Sequence, residues 1–173
     1  MEKEVVRTNK NRELTELALL KAVDDLIEED GFENLGINAV AAKAGLSKML
    51  IYRYFESLDG LIVAYIERND YWINLEPELP EVEHLGEFVK KLFRDQITML
   101  RNSYTLRRLY RWELSAKNKV IKELRERREA KGIWLIDAVS RLTDWPKADI
   151  AVIATVLTSS ITYLVMLEEN CPV

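Results

Sequence analysis

The sequence is poor in the residue types on which many catalytic and metal sites depend. Its 173 residues include one cysteine, Cys171, and one histidine, His84. These two residues are too few for a Cys/His metal cluster and offer no plausible Cys-His catalytic pair. A Walker-type phosphate loop and a Gly-x-Gly-x-x-Gly turn are also missing. We therefore expect no metal, no cofactor and no catalytic residue, and we interpret the chain as a binding protein rather than an enzyme.

Cysteine usage also bears on the cellular compartment. A lone Cys171 cannot form an internal disulfide, and the first residues lack the basic, apolar and small-residue order of a secretory signal. Both features favour the reducing cytoplasm.

An excess of positive charge is also missing, because the formal net charge is -4 and the pI is about 5.3. Any nucleic-acid surface must therefore be local. One local candidate exists, since between Gly36 and Phe55 the only ionisable side chains besides tyrosine are Lys43, Lys48 and Arg53. Acidic residues crowd the preceding positions 24–30.

No segment alternates polar and apolar residues over strand length, whereas three-and-four apolar spacing recurs throughout. We therefore predict an all-α fold. The first helix is predicted over 13–30, ended by Gly31 with Phe32 folded back on Ile27 in a Schellman cap. Later helices are predicted as follows: a fourth from a Ser57 cap to about Ile73, a fifth over Leu85 to Leu100, a sixth capped by Ser103, a seventh from Asn118 to near Thr143, and an eighth after Pro146.

The eighth predicted helix raises the question of a membrane span. No charged residue occurs from Ile150 to Leu167, a length near the lower limit for crossing a bilayer. Several hydroxyl residues lie inside this stretch, and Glu168 and Glu169 close it instead of a basic flank. We expect a helix buried in protein, with a second subunit as one of its partners and no membrane contact.

The segment from Gly36 to Phe55 has the features of a helix-turn-helix in the required order. Small Ala41 allows close packing, Gly45 makes the turn, and Ser47 caps the second helix.

The second helix of this pair has two different faces. Ile51 and Phe55 are four residues apart and are predicted to face inward. Lys48 with Tyr52, and Met49 with Arg53, fall on the other side. That side is predicted to enter a DNA major groove, with the N-terminal end of the helix leading.

This run resembles the pattern of the tetracycline-repressor (TetR) family: a small-residue helix, an Ala-Gly-Leu-Ser turn, and an aliphatic-Tyr-x-aromatic-Phe ending. The resemblance covers about Leu20 to Leu61. It implies an N-terminal helix-turn-helix domain over 1–56 and a helical effector-binding and dimerisation domain over 57–173. By position it implies DNA contacts from the following residues: Gly36, Ser47, Lys48, Met49, Leu50, Tyr52, Arg53 and Tyr54.

Within this set, the resemblance makes Lys48 and Met49 the base-reading residues. A lysine can donate to guanine, and an apolar side chain can pack on a thymine methyl. Two positions depart from the family pattern, because Leu50 replaces a usual threonine and Leu58 a usual lysine. Fewer phosphate contacts predict weaker affinity and a shallower salt dependence. Lys3, Arg7, Lys10 and Arg12 form an N-terminal stretch that is either a DNA-contacting arm or a soluble tail.

Beyond Leu61 the resemblance is architectural. It implies a small-molecule effector pocket, for which the candidates are these bulky and polar residues: Trp72, Phe93, Arg94, Met99, Tyr104, Arg108, Tyr110, Glu113, Trp134, Thr158 and Tyr163. It also implies a homodimer formed through the last helix, for which the candidates are Ile150, Ala154, Leu157, Ile161 and Leu164. Family members commonly end with two dimerisation helices, so the chain is either truncated after Val173 or closes a reduced bundle.

The resemblance implies a repressor of double-stranded operator DNA that a small molecule releases. A second interpretation keeps the DNA-binding dimer without a small-molecule effector and places it under a protein partner. An enzyme is the third interpretation, which clustered acid and base residues in a cleft would favour.

Overall fold

The computed structural model describes the backbone of residues 2–168 and the side chains of residues 11–168. Lys3, Arg7 and Lys10 of the predicted arm, and Cys171, have side chains outside the described residues. The described residues form eight α-helices and no β-strand, so the predicted all-α fold is confirmed. The helices are α1 (Glu2–Asp30), α2 (Ile37–Ala44), α3 (Lys48–Phe55), α4 (Leu58–Asn69), α5 (Leu85–Asn102), α6 (Tyr104–Ser115), α7 (Lys119–Thr143) and α8 (Lys147–Glu168).

The chain forms two compact units, which differ from the predicted division at residue 56. The first unit contains residues 1–69 and 108–121, and the second contains residues 70–107 and 122–173. The division into 1–56 and 57–173 is a division of function, and it stays a prediction.

The first unit is built around an apolar core that α1 shares with α2, α3 and α4. The residues of this core with no exposed surface are Leu19, Val23, Ile27, Val40, Ile51 and Leu61. Those on α1 recur every four residues, so that they form one face of the helix. Because Ile51 of α3 belongs to this core, the side of α3 that contains Ile51 faces inward.

The end of α1 differs from its prediction. Gly31 has the positive φ expected of a helix-ending glycine, 85°, but its ψ of 174° is extended. The Schellman cap is therefore wrong, because that motif needs a left-handed residue. Phe32 instead stacks on Trp112, with ring centroids 4.8 Å apart. The helix also begins earlier than predicted, at Glu2 instead of Glu13.

In the second unit, the segment after α4 is shaped by a buried carboxylate. We predicted helix to about Ile73, but α4 ends at Asn69. The backbone N–H of Ile73 donates to Oδ1 of Asp70 at 3.0 Å. An aspartate that accepts from a nearby backbone N–H competes with helix continuation. Asp70 thus replaces the predicted last turn with a tight turn.

The predicted caps of α6 and α7 are confirmed. Ser103 accepts from the N–H of Leu106 at 3.1 Å, and Asn118 accepts from the N–H of Ile121 at 3.0 Å. Helix α8 begins at Lys147, directly after Pro146.

Helix α8 packs on α5 within the second unit and leaves most of its surface exposed. Val165 is buried, whereas Val152, Val156 and Tyr163 are each about 60% exposed. By length and composition α8 is the one described helix that could cross a membrane, and only 6% of its apolar window is buried within the chain. Burial of α8 against a second subunit therefore stays a prediction.

Candidate nucleic-acid interface

The turn between α2 and α3 is set by a left-handed glycine. Gly45 has φ 65° and ψ 29°. The N–H of Leu46 donates to the carbonyl of Ala41 at 3.0 Å, and that of Gly45 donates to Ala42 at 3.1 Å. This pair of bonds is a Schellman motif. It ends α2 and redirects the chain within two residues, as the sequence predicts for a helix-turn-helix.

Ser47 then starts α3. Its backbone is extended, with φ -70° and ψ 135°, and its hydroxyl accepts from the N–H of Met49 at 3.3 Å. The predicted N-cap is therefore confirmed. Because the cap fixes Lys48 as the first helical residue, Lys48 and Met49 occupy the first turn of α3.

The two faces of α3 differ sharply in exposure. Ile51 is fully buried, whereas Met49 is 66% exposed and Tyr52 is 48% exposed. Lys48 and Arg53 are also exposed. The other predicted DNA-contact residues are placed as follows: Ser47 is exposed, and Gly36, Leu50 and Tyr54 are partly buried. The predicted reading face is thus open to solvent.

The three cations of this segment are not equivalent. Nζ of Lys43 donates to Oε1 of Glu29 at 2.5 Å, and this hydrogen bond raises the pKa of Lys43. Among the residues that the structure describes, no carboxylate lies within ion-pair distance of Lys48 or Arg53. The positive charge available to an anion is therefore concentrated on α3.

The ring of Tyr54 contacts two guanidinium groups. Its ring centroid is 5.3 Å from Cζ of Arg12 on α1 and 5.9 Å from Cζ of Arg53. Arg12 also donates to Glu16 at 2.6 Å, which raises the pKa of Arg12. Cation-π contacts of this kind orient the ring. The contact of Arg12 with Tyr54 could not be predicted from the sequence, because 42 positions separate the two residues.

The exit from α3 contains a close backbone approach that the sequence analysis missed. A Cβ atom at Gly60 would lie 2.0 Å from the carbonyl oxygen of Phe55. The N–H of Gly60 donates to the hydroxyl of Ser57 at 3.0 Å. Only glycine fits at this position, and the fit determines how α4 leaves α3. The sequence contained one signal for this contact, because Gly60 lies three residues after Ser57, the predicted cap of α4.

The predicted effector residues do not share one compact unit. Arg108, Tyr110 and Glu113 lie in the first unit, and the other eight lie in the second. In the second unit Arg94, Met99, Tyr104, Trp134 and Tyr163 are exposed, whereas Trp72, Phe93 and Thr158 are partly buried. The rings of Trp72 and Phe93 meet edge to face at 6.5 Å.

A buried glutamine beside Phe93 escaped the sequence analysis. Gln96 is 1% exposed, and its Nε2 lies 3.3 Å from Oγ1 of Thr162 on α8. Among the described residues, Oε1 of Gln96 and Nε1 of Trp72 are buried without a hydrogen-bond partner. Buried polar atoms normally have one, so each marks a place where a bound molecule or water would be stabilised.

The predicted dimer residues fall on two sides of α8. Leu157 and Leu164 are exposed, at 39% and 56%, whereas Ile150, Ala154 and Ile161 are partly buried. The exposed apolar face that includes Leu157 and Leu164 also contains Val152, Ile153, Val156 and Tyr163. We call these six residues the α8 face.

Comparison with known proteins links the helix-turn-helix to a family. Residues 19–65 match the family described as bacterial regulatory proteins, tetR family. Two HTH-type transcriptional regulators of Mycobacterium tuberculosis, from strains CDC 1551 and H37Rv, are each 39% identical over 57 residues. That alignment covers 31% of this chain and 28% of each relative.

Solved structures extend the likeness to most of the chain. A Clostridium perfringens putative fatty acid metabolism regulator has a TM-score of 0.62 and 23% identity, covering 88% of this chain and 86% of its own. A TetR family transcription regulator from Marinobacter aquaeolei VT8 has a TM-score of 0.64 and 19% identity, covering 95% and 87%. At these identities the likeness is one of fold. The helix-turn-helix region, residues 19–65, thus matches the tetR family, and the chain as a whole shares the fold of a TetR family regulator.

Proposed function

We propose that the chain is a cytoplasmic, DNA-binding transcriptional regulator that reads operator DNA with α3. The observation that carries the proposal is the exposed face of α3, where Lys48 and Arg53 have no carboxylate within ion-pair distance among the described residues. Lys48 and Met49 in the first turn contact base edges. Tyr52 contacts a base or a phosphate, and Arg53 and Tyr54 meet the backbone.

The α8 face supports a homodimer as the DNA-binding form. Isolated apolar side chains on a surface are ordinary, but six on one face of a helix indicate a covered surface. Two copies joined there would present two α3 helices to a palindromic operator. Half-sites would be spaced one turn of DNA apart, roughly 34–36 Å.

The second unit is the proposed site of control. A small molecule bound there would release the dimer from DNA by binding the released conformer more tightly than the DNA-bound one. Support comes from Trp72 and Gln96, whose buried polar atoms have no partner among the described residues. The name of the Clostridium perfringens neighbour, a putative fatty acid metabolism regulator, is compatible with a small-molecule signal. Control by a protein partner is the alternative.

The test uses the protein's own promoter DNA and matched lysine variants. Lys48→Ala and Tyr52→Ala should each weaken binding about tenfold or more, since one base contact contributes roughly 1–3 kcal/mol. Lys43→Ala is the control, because Glu29 already neutralises that ammonium. Fluorescence anisotropy at low salt measures the affinity, and sedimentation confirms that each variant keeps its dimeric state. No sequence preference in the unmodified protein, or an equal loss in all three variants, would contradict the proposal.

A further inference from the structure

A groove in the second unit is lined by Ile73, the residue that follows Trp72 in the chain. It has a volume of about 670 Å³ and runs between the connection from α4 to α5 and one face of α7. Ile73, Leu75 and Pro77 form its apolar wall on the connection. Volumes of this size are typical of small-molecule sites.

The opposite wall is a single face of α7. Arg127, Ala130, Lys131 and Trp134 line it, and their spacing of three, four and seven residues places them on one side of a helix. The indole of Trp134 is 45% exposed. An exposed indole beside aliphatic side chains is a surface that an apolar ligand would cover.

Lys131 gives the groove its charge preference. Its Nζ donates to the carbonyl oxygen of Leu75 at 3.0 Å, which leaves two of the three ammonium donors for another acceptor. Within the described part of the chain, no carboxylate lies within ion-pair distance of Lys131. Arg127, at the end of the same face, is held by Glu123 at 2.8 Å.

One carboxylate, that of Glu76, also lines the groove. Glu76 is exposed on the connection, whereas Lys131 is partly buried and held in place by a backbone carbonyl. An exposed carboxylate keeps its hydration, and pairing it costs side-chain entropy. A held ammonium loses less entropy when it binds. The fixed charge of the groove is therefore positive.

We infer that this groove binds an amphipathic monocarboxylate, with the carboxylate on Lys131 and the apolar body between Trp134 and the wall of Leu75 and Pro77. The inference rests on the proposed function, because it names the chemical class of the effector. Glu76, which also lines the groove, then disfavours ligands with a second negative charge.

Calorimetric titration of the full chain with three ten-carbon probes tests the inference. The probes are decanoate, decan-1-ol and decyltrimethylammonium, which share an apolar body and differ in charge. Decanoate should bind about tenfold more tightly than the other two, a difference expected of a hydrogen bond to a charged group. Lys131→Gln should remove that preference, because a neutral amide replaces the ammonium. Trp134→Ala should weaken decanoate and decan-1-ol alike.

Two control variants locate the site. Lys122→Gln removes an exposed ammonium of α7 that faces Glu126 at 3.7 Å, and it should leave decanoate binding unchanged. Glu76→Gln should leave it unchanged or strengthen it. Decanoate binding that does not respond to Lys131→Gln and Trp134→Ala would overturn the inference, as would tighter binding of the cationic probe.

The result is separable from the proposed function. Promoter binding is measured on the same preparations without any probe. Intact promoter binding with no decanoate binding overturns the groove alone. Decanoate binding of the expected pattern with no promoter binding supports the groove and contradicts DNA recognition.

Discussion

The segments at the two ends of α4 are held in place by different kinds of contact. The segment from Gly45 to Gly60 depends on caps and glycines that act over two to five residues: the Gly45 turn, the Ser47 cap and the contact of Gly60 with Phe55. The segment from Asp70 to Leu75 depends on partners far along the chain. Asp70 pairs with Arg128, and the carbonyl of Leu75 accepts from Lys131.

The second segment has a further long-range contact. The hydroxyl of Tyr71 donates to the carbonyl of Leu92 at 3.0 Å, and burial raises the pKa of Tyr71 to about 12. The short-range caps and turns make α3 and its two ends a unit that the local sequence specifies. The 70–75 segment is held by long-range pairs, so its conformation depends on how α5 and α7 pack. We expect a change in that packing to change the conformation of this segment.

The largest effect is expected at Asp70, which is fully buried against Arg128. Asp70→Ala should lower the free energy of unfolding by about 3–5 kcal/mol, because it leaves a largely buried guanidinium without this carboxylate. Urea unfolding followed by circular dichroism measures the loss.

The double variant Asp70→Ala with Arg128→Met is the control for that prediction. Replacing both members by apolar groups should recover much of the stability, since a buried pair is often no more stabilising than apolar packing. A double variant as unstable as the sum of the two single variants would show that the pair is not coupled.

Prediction from sequence succeeded where the physical cause was local. The Gly45 turn and the Ser47, Ser103 and Asn118 caps were all readable, since each depends on one residue type at a fixed offset from a helix end. The predicted end of α4 was wrong, because Asp70 forms a turn that ends the helix at Asn69. A carboxylate in that position gives no sign of being buried until Arg128, 58 residues later, is placed beside it.

The candidate site residues also differ in whether a local pattern could predict them. The residues of α3 could be chosen from the helical repeat and the family pattern. Effector candidates could only be chosen as bulky or polar, and the structure distributes them over both units. Gln96 was missed because its partner Thr162 is 66 positions away.

The second largest effect is expected at Gly60. Gly60→Ala places a Cβ 2.0 Å from the backbone oxygen of Phe55, and a backbone atom cannot move aside as a flexible side chain can. We expect a loss of about 3 kcal/mol in the free energy of unfolding, at the upper end of overpacking costs. Promoter affinity should fall with it, because α3 and α4 would separate.

Gly132→Ala on α7 is the matched control for Gly60→Ala. Nothing lies within 4 Å of the position that its Cβ would take, so the substitution should stabilise the chain by roughly 0.5–1 kcal/mol through helix propensity alone. Equal destabilisation by the two substitutions would show that the Gly60 contact is not the cause.

The smallest effect is expected at Ser47. Substitutions there distinguish a role in capping α3 from a direct contact with DNA. Ser47→Ala removes the oxygen that accepts from Met49 and should cost about 1 kcal/mol, whereas Ser47→Gly should cost only a few tenths. Thermal unfolding of the two variants measures this order. If Ser47 serves only as a cap, promoter affinity should follow stability and Ser47→Gly should bind nearly as well as the unmodified chain. A glycine variant that is stable but binds poorly would instead mean that the hydroxyl itself contacts DNA, and the local devices of this segment would then both shape the helix and read the operator.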